Sequence, residues 1–219
     1  MNTAWLVESW PRIVELTLQH ALIAIPAILV SFVVSVPLGW WAHRSPGARR
    51  FILPASGILY AIPSLPLFIF LPVLLGTKIL DPLNVVVALT LYGIALLVRT
   101  AFDAFDTVGL ATRADALAVG HSPGQVFTHV ALPLAGPALL AGTRVVSAST
   151  LSLVSVGALI GVPSLGYFFT DGYRRAFPTE IMVGIVGTVL LAAVFDLALV
   201  VAGSLLLPWE RATDRRRRS

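Results

Sequence analysis

Two charged side chains, Arg144 and Asp196, stand inside long apolar runs. The other groups able to do chemistry are four histidines (His20, His43, His121 and His129) and a scatter of serine and threonine hydroxyls. The histidines are far apart and fall at loops or at the ends of apolar runs. Interfacial or capping roles suit them better there than ligand or base roles. No His-Glu-x-x-His and no Cys/His spacing offers a metal site, and no cofactor is expected. The chain has no cysteine, which removes disulfides and thiol nucleophiles and leaves the redox compartment open. No glycine-rich loop ends in Gly-Lys-Ser/Thr, so an enzyme with its own ATP site is not expected. A membrane-embedded hydrolase, the alternative from a different class, would need a buried Ser–His pair that the spacing does not supply. What remains is the chemistry of charges and hydroxyls in an apolar medium: pairing, helix contacts and the lining of a path.

The elements that must position these groups are helices in a membrane. The 219 residues are 57% hydrophobic and 12% charged, with a mean hydropathy of +0.89, far outside the range of water-soluble domains. The net charge of +4 sits in short clusters between apolar runs. It therefore speaks for membrane topology and lipid, and against nucleic acid as a partner. Five runs, about 20–42, 51–76, 83–101, 134–160 and 181–207, are long enough to cross a hydrocarbon core of roughly 30 Å. Arg44, Arg49, Arg50, Arg99, Arg113, Arg211 and Arg215 to Arg218 then share one side, against Arg12, Lys78, Arg174 and Arg175 on the other. The positive-inside bias predicts a multi-pass protein of the cell membrane with its N-terminus outside and its C-terminus in the cytoplasm. Trp40, Trp41 and Trp209 fit an aromatic belt at the cytoplasmic face. The N-terminus has no basic cluster and its first apolar run is long, so no cleavable signal peptide is expected.

Residues 4–18 place Leu6, Trp10, Ile13, Val14 and Thr17 on one helical face and Glu8, Ser9, Arg12, Glu15 and Gln19 on the other. They read either as an interfacial amphipathic helix or as an extension of the first span. The expected fold is an all-α integral membrane protein forming one domain over 1–219. It has about five transmembrane helices within 20–207, an N-terminal interfacial helix, a cytoplasmic elbow at 107–133 and a basic tail at 208–219.

The elbow is a polar island. An Ala-rich helix over 107–119 is predicted to stop at Gly120, in the manner of a C′ glycine. Ser122 then serves as N-cap, with Pro123 at the first helical position and Gln125 at the third, a capping-box pattern. Pro133 launches the next apolar run. Two short helices bent at a glycine make a docking element, with Val126, Phe127 and Val130 as its apolar surface and Phe127 as an exposed anchor.

The second run is interrupted by Pro54, Pro63, Pro66 and Pro72. Each proline removes a donor and turns the preceding residue away from helix. Broken backbone at membrane depth is tolerated inside protein or beside a wet cavity. Ser64 therefore reads as lining a transport path, or else as part of a kink packed against neighbouring spans. The fourth run carries Thr143, Ser147, Ser149, Thr150, Ser152 and Ser155. Ser147 with Thr150, or Ser152 with Ser155, would share a face, either as path lining or as small residues that let helices approach. Arg144 stands about 15 Å and Asp196 about 16 Å above the cytoplasmic ends of their spans. A lone charge at that depth is costly, so the two are expected to pair, the other reading being that Arg144 snorkels and Asp196 binds hydroxyls.

The elbow resembles the cytoplasmic coupling loop of ABC-importer permeases, whose pattern is Glu-Ala-Ala, three residues, Gly, then hydrophobic-x-Leu-Pro. Ala116, Gly120 and Val130-Ala131-Leu132-Pro133 fit it. Ala114 stands where the family carries Glu and Asp115 where it carries Ala; a shift of one position turns a side chain about 100° round the helix, so Asp115 does not replace that Glu. Ile62-Pro63-Ser64-Leu65 resembles the Gln-Thr-Ile-Pro-Ser-Leu segment of osmoprotectant-importer permeases, with Tyr60-Ala61 in place of its first two residues. The stretches 139–144 and 159–166 resemble the same subgroup, Val162-Pro163-Ser164 departing from it. The resemblance runs from about Trp10 to Glu210.

It implies a permease subunit working with ABC ATPase subunits, a second permease, identical or paralogous, and an extracytoplasmic substrate-binding protein. It implies ATPase docking at Ala116, Gly120, Ser122, Val126, Phe127, Val130 and Pro133, and cargo such as glycine betaine, choline or carnitine. A permease for methionine or another small solute of the same superfamily is the nearest alternative. A self-sufficient secondary carrier would show an internal repeat of several spans, and none is seen. No aromatic cage for a quaternary ammonium is read from the sequence, so selectivity is expected in the binding protein.

Overall fold

α1 (Thr3–Arg44) runs unbroken for 42 residues, about 63 Å at helical rise and roughly twice a hydrocarbon core. The computed structural model to which it belongs describes residues 3–209, and among these there is no strand. Residues 4–18 are not a separate interfacial helix; they are the first part of α1. The cause is local. The Thr17 hydroxyl donates back to the Ile13 carbonyl at 2.7 Å, and Arg12, Glu15 and Gln19 join at i, i+3 and i+4 along the polar face. Pro11 removes one backbone donor from this stretch, yet the helix continues through it. Packing holds the stretch as well: Leu16 is buried with Leu165 and Phe168, and Trp5 meets Phe168 and Phe177 edge-on.

α2 (Pro46–Ala61) and α3 (Ser64–Leu75) form the proline-broken second run, bent by 106° at Ile62 and Pro63. The Leu59 carbonyl would bond the N–H of residue 63, which is proline; the Ile62 N–H takes it instead, at 3.3 Å. The Ile62 carbonyl would in turn await residue 66, also proline. It accepts the Tyr92 hydroxyl from the next helix at 2.5 Å.

That helix, α4 (Pro82–Asp106), is the centre of the bundle. Of its most apolar window 56% is buried, against none of the corresponding window in the last helix. Small residues bring its neighbours close. A Cβ at Gly39 of α1 would stand 2.5 Å from the Ala101 Cβ, so only glycine fits that crossing. The Ser31 hydroxyl bridges the same interface to the Thr90 carbonyl at 3.1 Å.

After α5 (Leu110–Ala118) the chain turns into α6 (Pro123–Gln125), a π-helical turn (Val126–Ala131), α7 (Leu132–Val154) and a 3-10 turn (Ser155–Ile160). From Pro123 to Ile160 these make one long rod. Pro133 therefore does not launch a new helix; the elbow's second helix is the end of the fourth span. The Leu132 N–H reaches the Phe127 carbonyl, an i→i−5 bond. The widened turn makes room for Pro133, which has no N–H and would otherwise crowd the His129 carbonyl. At the far end the Ser155 N–H turns to Ser152, and His20 Nε2 of α1 bonds the Leu151 carbonyl at 2.9 Å. α8 (Tyr167–Arg174) is a short helix before α9 (Pro178–Leu206).

Among the described residues four helices are long and apolar enough to cross a membrane, and five if the bent pair is one span, the five runs expected. Of the basic tail at 208–219, only residues 208 and 209 lie within the described residues.

Candidate functional site

The elbow is built by local rules. α5 begins after Gly109 and ends at Val119. Gly120 follows at φ +97, a region that favours glycine. Its N–H bonds the Leu117 carbonyl at 3.0 Å and the His121 N–H bonds the Ala116 carbonyl at 3.1 Å, the paired bonds of a Schellman stop. Ser122 closes its capping box in both directions: its Oγ accepts from the Gln125 N–H at 3.3 Å, and its own N–H donates to Gln125 Oε1 at 2.8 Å.

Ser122 also falls in a Gly-x-Ser-x-Gly spacing, Gly120 to Gly124. The structure gives it no nucleophile's setting: no strand precedes it, it is exposed, and its oxygen serves as a cap.

The elbow is fastened to the bundle from inside. Trp40, Phe105 and Phe127 form an aromatic triangle with centroids 5.1 to 5.9 Å apart. His43 stacks on Trp40 at 5.8 Å. Its Nδ1 lies 3.4 Å from an Asp106 oxygen, while Nε2 accepts from Arg113 of α5. Nδ1 is buried and makes no hydrogen bond, so Asp106 acts on it through charge and proximity. One side chain of α1 thus links the end of α4 to the first elbow helix. Sequence pattern carries no sign of this link, because Asp106 and Arg113 lie 63 and 70 positions from His43.

Of the residues expected at the docking surface, Gly120 and Ser122 are exposed, while the others are not. Ala116 and Val126 are buried, and Phe127 is half-buried on the aromatic triangle, not exposed. Val130 and Pro133 are half-buried too. The apolar side chains that do project from the elbow are Leu110, Leu117 and Val119, at 80%, 50% and 76% exposure. Leu110 and Leu117, seven apart, share one face of α5, a spacing present in the sequence but hidden by attention to the second helix. They border a groove of about 300 Å³ beside Trp40 and Arg44, whose wall includes Ala114.

The five hydroxyls named for a path do not share a surface. Ser147 and Thr150 are buried among the packed helices, Ser64 and Ser155 are half-buried, and Ser152 is exposed. On α7, Ser152 lies about 140° from Ser147, which explains the split. The break at Tyr60 to Pro63 is exposed, with the Tyr60 ring edge-on to Tyr92 at 6.0 Å. Arg144 and Asp196 form a two-pronged ion pair between α7 and α9, Nε to Oδ1 at 2.5 Å and Nη2 to Oδ2 at 2.7 Å. Both side chains stay nearly half exposed, so the pair faces out of the chain. Among the described residues no group of His, Asp or Glu is arranged to hold a metal.

Comparison with known proteins agrees with this architecture. Residues 35–212 match the family described as the binding-protein-dependent transport system inner membrane component. The chain is 34% identical over 154 residues, 69% of its length, to the ergothioneine transport permease/ergothioneine binding protein of Helicobacter pylori, and spans 27% of that relative. It is 26% identical to the carnitine transport permease protein of Listeria monocytogenes, over 89% of this chain and 84% of the relative. In fold it is similar to the inward-facing MetNI methionine ABC transporter, with a TM-score of 0.73 and 20% identity over 90% of this chain and 94% of that one. The protein thus belongs to the inner-membrane components of binding-protein-dependent transport systems.

Proposed function

We propose that this chain is the permease subunit of an ABC importer for a trimethylammonium osmoprotectant such as glycine betaine, choline or carnitine. The observation that carries the reading is the elbow, a capped two-helix turn whose second helix continues rigidly into a transmembrane span. A separate ATPase docks on its exposed Leu110, Leu117 and Val119, and movement of α5 enters the bundle through His43 and through the α6–α7 rod. A second permease subunit, identical or paralogous, completes the path, and an extracytoplasmic binding protein delivers cargo to it. The N-terminus lies outside and the elbow in the cytoplasm. The chain has no ATP site of its own.

Within this reading the path runs past the broken second span at Ser64 and past Ser152 and Ser155, while Ser147 and Thr150 serve helix packing. The Arg144–Asp196 pair carries motion of α7 to α9. Both carnitine and ergothioneine, named for two relatives, join a trimethylammonium group to a carboxylate, which supports that cargo class over methionine. The test is uptake into proteoliposomes holding the chain, its ATPase and its binding protein. Labelled glycine betaine, choline, carnitine and ergothioneine are offered beside methionine. ATP-dependent entry of one or more trimethylammonium compounds is expected; entry of methionine alone would favour the other permease reading.

A further inference from the structure

Arg49 and Arg50 take no part in the elbow. They stand in the first turns of α2, where the helix dipole disfavours cations and no acidic residue sits in the first turn. Both are exposed, and among the described residues neither joins an ion pair. The Arg49 guanidinium lies over the Phe102 ring of α4, 4.7 Å from its centroid.

Beside them opens a groove of about 560 Å³. Its floor is α4 at Ile94 and Val98, one wall is Trp41 of α1, and the other is the α2 stripe through Gly47, Phe51 and Leu59. The one hydroxyl in the lining, on Ser56, donates to the Leu53 carbonyl at 2.8 Å, so the interior offers no free polar partner. From Gly47 to Leu59 the groove climbs about 18 Å, close to one leaflet of a core roughly 30 Å thick. Phe102 lies one turn beyond Val98, which puts Arg49 at the open end. Trp41, 57% exposed, flanks the same end, and Arg50 directly precedes Phe51 of the stripe.

We propose that this groove holds an acyl chain of an anionic phospholipid, with Arg49 and Arg50 gripping its phosphate. Charge selects the occupant. None of the apolar grooves, this one or the two along α9, has a basic residue in the lining itself. The difference lies in the nearest cation, since Arg12 and Arg144 beside the other two are paired with Glu15 and Asp196. Here Arg49, with no ion pair among the described residues, stands over Phe102 at the end of a leaflet-deep slot, and exposed Arg50 follows it in the chain. A second protein copy in the slot would have to bury them or supply carboxylates, whereas a phosphate at the interface meets them in place.

The experiment is lipid retention by the purified full chain in its assembly with the ATPase, read by native mass spectrometry in mixed phosphatidylglycerol and phosphatidylcholine. The wild type is expected to keep phosphatidylglycerol with roughly thirtyfold preference, the effect of two arginines at a membrane surface. The double variant R49Q/R50Q loses the preference. Gly47→Phe loses retention with both arginines intact, since a side chain there projects into the slot and meets only Ser45 Oγ, at 3.9 Å. Ala55→Leu gives the same result should Gly47→Phe not assemble. Equal retention of both lipids by the wild type, or a preference untouched by R49Q/R50Q, would overturn the proposal. So would competition by glycerophosphate together with full retention in both groove-filling variants, which would mean a surface charge contact without an acyl chain. A cysteine at Ala55 that joins two permease chains would assign the slot to a protein neighbour and reject the lipid.

Discussion

Phe127 and Val119 show how little residue type says about role. Both are apolar and lie in one polar loop, yet Phe127 turns inward onto Trp40 and Phe105 while Val119 projects outward. Phe127→Ala is expected to cost roughly 2 kcal/mol of stability, that of a large side chain losing partial burial, read as a lower midpoint of thermal unfolding in detergent. Val119→Asp is expected to leave that midpoint unchanged and to weaken copurification of the ATPase. The reverse pattern would return the docking role to Phe127. Arg144 and Asp196 make the second test at this scale. Their depth was readable by counting helical rise from the span ends, but their facing was not, because periodicity within one helix does not orient it against another. Arg144→Asp and Asp196→Arg are each expected to reduce assembly and transport. The double swap should restore much of both, and recovery of neither would remove the pair from the coupling route.

Individual elements were legible in proportion to how local their causes are. Gly120, Ser122 and Gln125 act within a few residues, so the stop and the capping box could be read directly. The breaks in the second span follow as simply from Pro63 and Pro66. Harder to read were the compensations. Tyr92 caps the Ile62 carbonyl from 30 positions away and His20 meets the Leu151 carbonyl from 131, distances at which sequence pattern carries no signal. That residues 4–18 continue into α1 was not legible for another reason: an amphipathic stripe fits a separate helix and a helical extension equally, and the contacts with Leu165, Phe168 and Phe177 that hold the extension are long-range. Tyr92→Phe tests the compensation. It leaves the carbonyl at the break without its donor and is expected to cost about 1–2 kcal/mol, with faster amide exchange at Leu67, whose N–H bonds the Pro63 carbonyl, than in the wild type. Unchanged exchange there would mean that the break stands without Tyr92.

At the scale of the whole molecule, α4 sits at the centre, α1 and α7 pack on it, and α9 rides outside on α7. The elbow is placed where all of this can be moved at once. Arg113 and His43 join α5 to α1, Asp106 stands beside His43 from α4, and the π-helical turn before Pro133 makes α7 continuous with α6, the second elbow helix. On the docking proposed above, a shift of α5 would be felt at α1 and at the end of α4 through these contacts. The absence of native cysteine allows this to be tested by single-cysteine crosslinking in the working transporter, with uptake followed in the same vesicles. Cysteines at Leu117 and Val119 are expected to crosslink to the ATPase and to stop uptake, while a cysteine at Phe127 does neither. Crosslinks from Phe127 with none from Leu117 or Val119, or uptake that continues with α5 locked to the ATPase, would contradict the elbow as the point where ATP hydrolysis is coupled to transport.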